Sequence, residues 1–253
     1  MDKRILAGAL LAGLITAQGV AAAEVKVLTA GAMKQVVLAV VPQFEQQTGH
    51  KVTVSNDTAG VLQKRIDGGE AFDLAIITPA VVDDLITKGK IATPRTDLAR
   101  VGVGVAVKSG TPAPDISTVE AFKRAVLAAK SVAYIDPASG GSSGIYVAKL
   151  LERLGIADQV KGKAVLVPGG LVAERVVKGE AELGIHQISE IVPVAGATLV
   201  GPLPADIQNY TTYSAGVGTA AKEAEAAKAL INLMTGPGAT QMLKSKGMDQ
   251  PTS

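Results

Sequence analysis

The stretch EVKVLTAGAMKQVVLAVVPQFEQQTG, residues 24–49, contains one strand, one loop and one helix in that order. Residues 25–29 form a β-rich run, and residues 33–48 have the apolar spacing of an amphipathic helix. Gly49 follows at the position where a helix C-cap is expected. A strand that leads into a helix is the repeating unit of parallel α/β sheets, so this stretch predicts an α/β fold.

The same unit recurs along the chain in two series. The first series continues with predicted strands at 51–55 and 73–78 and helices at 61–68 and 81–88. After a long apolar strand at 101–108, the second series has helices at 119–129, 144–154 and 172–178 and strands at 132–135, 164–167 and 181–185. The chain ends with a β-rich run at 211–218 and helices at 220–234 and 240–245.

Two α/β series followed by a return strand predict two lobes joined by two crossings, near 101–107 and near 211–217. Lobe 1 is expected to contain residues 24–104 and 211–253, and lobe 2 residues 105–210. Ligands of open α/β sheets bind outside the carboxyl ends of the strands. The cleft between the lobes is therefore expected to collect four loops, with the sequences TAGAMK, SNDTAG, ASGGSSG and VPGG.

The first 23 residues have the pattern of a secretory signal peptide: a charged start, an apolar core and three alanines at 21–23. A transmembrane anchor is the alternative, but it needs about 20 unbroken apolar residues. Thr16 and Gln18 interrupt this shorter run. We expect cleavage to leave a mature protein in the periplasm, with no membrane insertion.

The composition narrows the classes of function. The chain has no Cys, which excludes disulfides, thiolate catalysis and thiolate-bound metals. Its formal net charge of +2 gives no basic footprint for nucleic acid. No P-loop or H-E-x-x-H motif is present, and two histidines cannot build a histidine-rich metal site. We therefore expect no cofactor, no metal ion and no nucleic-acid partner.

The segment DPASGGSSGIY, residues 136–146, lies between a predicted strand and a predicted helix. Helix N-termini carry unpaired N–H groups that suit an anion. Gly144 allows a close backbone approach, and Ser142 and Ser143 add hydroxyl donors. The alternative is that Ser142 only caps its helix.

Other loops of the predicted cleft supply further candidates. The expected ligand-binding residues are Ala32, Met33, Thr58, Ala59, Thr78, Ser142, Ser143, Gly144, Gly169 and Gln187. Lys34 has a cationic head that would pair with a carboxylate, although most lysines on helices are solvated.

His186 ends the predicted strand ELGIHQ, at the end that faces the cleft. Histidine titrates near neutral pH, so it is the natural group for moving protons. His186 is the first candidate for the catalytic base, and Lys34 and Glu190 are the next candidates. The alternative for His186 is a hydrogen-bonded structural role.

Four stretches together resemble the periplasmic solute-binding proteins of the molybdate-binding type. They are VLTAGAMKQVVLAVVPQFEQQTG, GGEAFDLAII, DPASGGSSGIY and VKGEAELGI, and the resemblance covers residues 24–250. It implies a two-lobed type II binding-protein fold that closes over its ligand. For a receptor, it also implies an ABC permease as the partner.

Two loops and one strand residue depart from the family pattern. Molybdate binders typically place a serine after the first strand, where this chain has alanine at 30 and 32. Their second loop is a serine run, where residues 57–60 read DTAG, and their later tyrosine is replaced by Gln187. The missing hydroxyls would hold a tetrahedral oxyanion, so we expect an anion with planar carboxylates, held by charge-assisted hydrogen bonds.

The chain also resembles a branch of this family that includes aconitate isomerases. That resemblance implies cofactor-free transfer of an allylic proton on a tricarboxylate, which needs a base and donors where negative charge grows. His186 is the candidate base. The rival is a non-catalytic receptor that delivers an organic acid or an oxyanion to an importer. The fold alone does not separate the two.

Overall fold

A computed structural model describes residues 22–251, so the predicted signal segment lies outside the described residues except for its last two positions. Within the described part, no helix has the length and apolar character needed to cross a membrane.

Lobe 1 is built around three parallel strands: β1 (Glu24–Ala30) lies between β2 (Lys51–Asp57) and β3 (Leu74–Ile77). Its first helices are α1 (Lys34–Thr48), α2 (Ala59–Asp67) and α3 (Pro79–Thr87). α1 ends at Gly49, whose φ of 74° is left-handed and therefore favours glycine. Each helix begins within four residues of the carboxyl end of a strand, which gathers the helix N-termini at one edge of the sheet.

β4 (Thr96–Lys108) serves both lobes. Its first part pairs antiparallel with β9 (Tyr210–Val217), and its second part pairs with β7 (Leu183–Gln187) and β8 (Ala197–Pro202). The neighbours of β4 change between Gly102 and Val103.

Lobe 2 continues from β7 to the parallel strands β5 (Val132–Ile135) and β6 (Ala164–Val167). Its helices are α4 (Val119–Ala128), α5 (Ser142–Arg153), α6 (Ala157–Lys161), α7 (Val172–Val177) and α8 (Ile188–Ile191). The last helices, α9 (Ala224–Thr235) and α10 (Ala239–Ser245), return to the core of lobe 1.

The structure confirms the predicted two-lobed α/β fold. The sequence does not predict the short elements α6, α8 and β8, which have four to six residues each. The second crossing was placed wrongly at 211–217, because all of β9 pairs with β3 or with the first part of β4. The lobe boundaries at 104/105 and 210/211 stay a prediction.

Asp73 connects the start of lobe 1 to its C-terminal segment. Its buried carboxylate accepts hydrogen bonds from the backbone N–H groups of Lys26 (2.8 Å), Lys222 (2.8 Å) and Glu223 (3.0 Å). One side chain thus holds β1 and the approach to α9 together.

We expect Asp73→Ala to lower the free energy of unfolding by about 2–4 kcal/mol, because three N–H groups lose a charged acceptor. Urea denaturation measures this change. The control is Asp67→Ala, which removes an exposed ion pair with Lys88 (2.9 Å) and should cost about 0–1 kcal/mol. Equal small losses in both variants would contradict the role of Asp73.

Candidate active site

A cavity of about 420 Å³ lies between the lobes. Lobe 1 lines it with Ala30, Gly31, Ala32, Lys34, Gln35, Asn56, Asp57, Thr58, Ala59 and Tyr213. Lobe 2 lines it with Ile135, Gly141, Ser142, Ser143, Gly169, Gly170, Leu171, Glu174, His186, Ser189, Glu190 and Pro193. The volume is in the range of small-molecule sites.

A buried histidine–glutamate pair lies at the cavity wall. His186 is the penultimate residue of β7, and α8 turns Glu190 back so that Nε2 of His186 and Oε2 of Glu190 are 3.2 Å apart. The two residues are 1% and 8% exposed. Among residues 22–251, Nδ1 of His186 has no hydrogen-bond partner, so this part of the chain satisfies only one of the two ring nitrogens.

Burial controls the protonation of this pair. It lowers the pKa of His186 to about 3 and raises the pKa of Glu190 to about 8, since a desolvated site disfavours either charge. Near neutral pH the Glu190 carboxyl group is therefore protonated and donates to Nε2, which puts the ring hydrogen of His186 on Nδ1. When the Glu190 carboxyl group loses its proton, the ring hydrogen of His186 moves to Nε2 and is donated to the carboxylate. Nδ1 is then unprotonated and can act as a base.

Gly31 is required for the placement of Glu190. It lies in the 3-10 turn between β1 and α1, and a Cβ at this position would collide with Oε1 of Glu190. The loop after β1 and the helix after β7 therefore meet in direct contact, across the two lobes.

A second contact between the lobes involves the N-termini of α2 and α5. The N–H of Gly60 donates to the carbonyl of Gly140 (3.2 Å), and the hydroxyl of Thr58 donates to the carbonyl of Ser139 (2.5 Å). A Cβ on Gly60 would lie 2.9 Å from the Cα of Gly140, so glycine is needed for this approach. Two helix N-termini, each suited to an anion, thus lie at one cavity.

Ser142 belongs to a polar cluster and does not cap its helix. The N-cap of α5 is Gly141, with no side-chain cap. Oγ of Ser142 lies 3.3 Å from the hydroxyl of Tyr213 and accepts from Nε2 of Gln187 (3.2 Å). Burial, and secondarily Glu190, raise the pKa of Tyr213, so its hydroxyl stays protonated.

The lining of the cavity has few charged groups. Lys34 is its only lysine or arginine, and Lys34 makes no ion pair within residues 22–251. Asp57 and Glu174 are acidic. In the described part of the chain, no cluster of three or more His, Cys, Asp or Glu could hold a metal ion.

The structure brings most of the predicted site residues to the cavity. They are Ala32, Lys34, Thr58, Ala59, Ser142, Ser143, Gly169, His186 and Glu190. Their roles in binding or catalysis stay predictions.

Four predicted ligand-binding residues do not line the cavity. Met33 is fully buried in the core of lobe 1. Gly144 is needed because a Cβ there would collide with the carbonyl of Ile135 in β5. The other two are Gln187 and Thr78.

The side chain of Gln187 turns away from the cavity that its neighbour His186 lines, as successive side chains of a strand alternate, and it donates to Ser142 and Thr211. Thr78 lies at the N-cap of α3 and outside the cavity lining.

Several lining residues that carry polar groups were not named as site residues from the sequence, although Asn56 and Asp57 lie in the loop SNDTAG that is expected at the cleft. They are Gln35, Asn56, Asp57, Glu174, Ser189 and Tyr213. Asn56 and Asp57 end β2 directly before Thr58, so their position at a strand end was a usable signal. Tyr213 lies in a strand that was treated as a crossing, which concealed its role in the cavity wall.

The chain belongs to the family of bacterial extracellular solute-binding proteins, whose pattern matches residues 25–249. An aconitate isomerase from Pseudomonas sp is 32% identical over 229 residues, which cover 88% of this chain and 86% of the relative. The molybdate-binding protein ModA of Azotobacter vinelandii is 30% identical over 249 residues, which cover 94% of each chain.

Solved structures confirm the predicted molybdate-binding-type fold. The periplasmic molybdate-binding protein of Azotobacter vinelandii aligns with a TM-score of 0.77 at 21% identity, covering 90% of this chain and 100% of that chain. The sulfate-binding protein SubI from Mycobacterium tuberculosis H37Rv aligns with a TM-score of 0.71 at 17% identity, covering 90% and 87%.

The raised pKa of Glu190 predicts a loss of stability with rising pH. Between its ordinary value of 4.5 and about 8, the unfolded chain ionises this carboxyl group and the folded chain does not. The free energy of unfolding then falls by at most about 1.4 kcal/mol per pH unit. We expect Glu190→Gln to remove this loss, as measured by urea denaturation at pH 5, 6, 7 and 8.

The matched control is Glu174→Gln, since Glu174 lines the same cavity but is exposed to water. It should keep the pH dependence of the wild type. His186 acts in the opposite direction, because its lowered pKa costs stability as pH falls from 6.5 towards 3. Between pH 4.5 and 6.5 the two effects oppose each other, so the loss of stability with rising pH is expected between 6.5 and about 8. An unchanged slope in Glu190→Gln would contradict a neutral, buried carboxyl group.

Proposed function

We propose that this protein is a periplasmic, cofactor-free isomerase that interconverts cis- and trans-aconitate. The observation that carries the proposal is the buried His186–Glu190 pair at the wall of the cavity, in which Nδ1 of His186 has no hydrogen-bond partner among residues 22–251. A site that only holds an anion needs donors, whereas a desolvated acid–base pair suits proton transfer. The aconitate isomerase relative supports the same activity.

The reaction moves one proton and one double bond. Aconitate has three carboxylates on a propene skeleton. Removal of a proton from its CH₂ group gives an allylic anion whose charge spreads into the carboxylates. Return of a proton to the other end of the allyl system restores a neutral carbon skeleton with the double bond shifted, so the cis and trans forms interconvert.

The His186–Glu190 pair would act as the proton carrier. In its singly deprotonated form, Nε2–H donates to the Glu190 carboxylate, and Nδ1 accepts the proton of the substrate CH₂ group. Glu190 then stabilises the imidazolium, in the way that a carboxylate supports a catalytic histidine. Hydroxyls of Ser142 and Ser143 would supply donors where negative charge grows, whereas the Thr58 hydroxyl already donates to the carbonyl of Ser139.

The rival function is a receptor that delivers an organic acid or an oxyanion to an ABC permease. The molybdate-binding relative supports it. Incubation of the purified protein with trans-aconitate separates the two functions, with the cis isomer followed by NMR. Appearance of the cis isomer supports the isomerase, and tight binding without turnover supports the receptor.

We expect the protein to bind a tricarboxylate more tightly than molybdate. The cavity presents methyl groups at Ala32 and Ala59, in loops where molybdate binders have serines. Titration calorimetry with trans-aconitate and with molybdate measures the two affinities. Sub-micromolar molybdate binding without carboxylate binding would overturn this expectation.

We expect His186→Gln to lower the rate of isomerisation by about 10²–10⁴-fold while leaving substrate affinity nearly unchanged. Glutamine keeps hydrogen-bonding capacity but does not accept a proton at neutral pH. The aconitate assay is run beside thermal melting, so that a loss of fold is recognised.

The control is His50→Gln, because His50 lies in the turn between α1 and β2 and outside the cavity. It should retain the full rate. Full activity in a stable His186→Gln protein would remove this base and transfer the role to Lys34 or Glu190.

A further inference from the structure

A row of four polar side chains joins the two lobes at the wall of the cavity. Nε2 of Gln187 donates to Oγ of Ser142 (3.2 Å) and to Oγ1 of Thr211 (3.0 Å), and Ser142 lies 3.3 Å from the hydroxyl of Tyr213. Gln187 is 1% exposed and does not line the cavity, whereas Ser142 and Tyr213 do.

The amide of Gln187 acts in this row only as a donor. Its Oε1 is buried and has no partner within residues 22–251, so the opposite orientation would put two N–H donors in that position. One unpaired carbonyl costs less than two unpaired N–H groups, which favours the orientation observed.

The number of hydroxyl protons then determines whether Ser142 and Tyr213 can donate a hydrogen bond to a ligand. Ser142 and Tyr213 have two hydroxyl protons and share one hydrogen bond, so one proton is used between them. Within residues 22–251 neither hydroxyl has another acceptor. The Nε2–H of Gln187 donates to a lone pair on Oγ of Ser142, and Gln187 accepts no proton from either hydroxyl. The remaining proton therefore points into the cavity, whichever hydroxyl carries it.

We infer that Gln187 is a positioning residue that makes the Ser142–Tyr213 pair an obligate hydrogen-bond donor to the ligand. The group bound at this point must be an acceptor without hydrogen, such as an ionised carboxylate. The identification of that carboxylate as part of aconitate rests on the proposed function. The donor role of the pair depends only on the geometry of the four side chains.

The first test uses the two hydroxyls. Either Ser142→Ala or Tyr213→Phe still leaves one proton for the ligand, whereas the double variant leaves none. Binding of propane-1,2,3-tricarboxylate, which has no double bond to move, is measured by calorimetry. We expect each single variant to lose less than about fivefold in affinity and the double variant to lose about 10–150-fold, as for a hydrogen bond to a charged group.

The second test reverses the direction of the hydrogen bonds in this row of side chains. Gln187→Glu is measured at a pH high enough to ionise the new buried carboxyl group, since burial disfavours the charge. The carboxylate then accepts the proton of Ser142, and Tyr213 donates to Ser142, so no proton reaches the ligand. We expect a loss of at least about tenfold in the otherwise wild-type protein. In the Ser142→Ala/Tyr213→Phe background the same change should cost less than about threefold.

The background comparison separates positioning from charge repulsion. Two results would overturn the inference. One is an equal loss of affinity from Gln187→Glu in both backgrounds. The other is a double hydroxyl variant whose fold loss of affinity is no greater than the product of the fold losses in the two single variants. If Gln187→Glu does not fold, the hydroxyl series decides alone.

The choice of ligand separates this inference from the proposed function. A wild-type protein that binds molybdate and no tricarboxylate contradicts the proposed function. The same variants measured with molybdate then test the inference, because molybdate is also an acceptor without hydrogen. Binding of neither anion overturns both.

Discussion

The two sheets share the strand β4, and the position of every residue in the cavity depends on this sharing. β9 lies beside its first part, and β7 and β8 lie beside its second part. Side chains have no room where the neighbours change: a Cβ on Gly104 would lie 2.8 Å from Ile188, and one on Gly102 would lie 3.1 Å from Gln208. Because the lobes are coupled through one strand, the loop after β1 and the helix after β7 meet closely enough for Gly31 to contact Glu190.

The cavity combines helix N-termini, hydroxyls and a neutral acid–base pair, with one lysine and two acidic side chains. An anion held here would depend mainly on neutral donors, which are stronger in a site that excludes water than on a surface. The same exclusion of water keeps His186 and Glu190 uncharged. Binding and proton transfer would therefore both depend on the desolvation of the buried groups at the cavity wall.

The sequence predicted the α/β units well, because strand and helix periods differ and glycines follow the helices. It also predicted that Ser142, Thr58 and His186 lie at one cleft, since each follows the end of a strand. It did not distinguish the faces of those strands. Gln187 was assigned to the cavity although the alternation along β7 turns it away, and Tyr213 was missed because its strand neighbours are set by the whole sheet. Short elements such as α8, with four residues, have no periodicity to detect.

The connectivity of the lobes has a consequence for the order of folding. The core of lobe 1 contains Val25 and Met248, from opposite ends of the chain, whereas the main core cluster of lobe 2 is confined to residues 103–207. A chain made from its N-terminus can complete lobe 2 while β9 and α9 are still absent. Until β9 arrives, one edge of β3 has no partner, and an unpaired strand edge is a site of aggregation. Lobe 1 is therefore the last part to close, and its unfinished sheet is the point at which newly made chains are most exposed to misassembly.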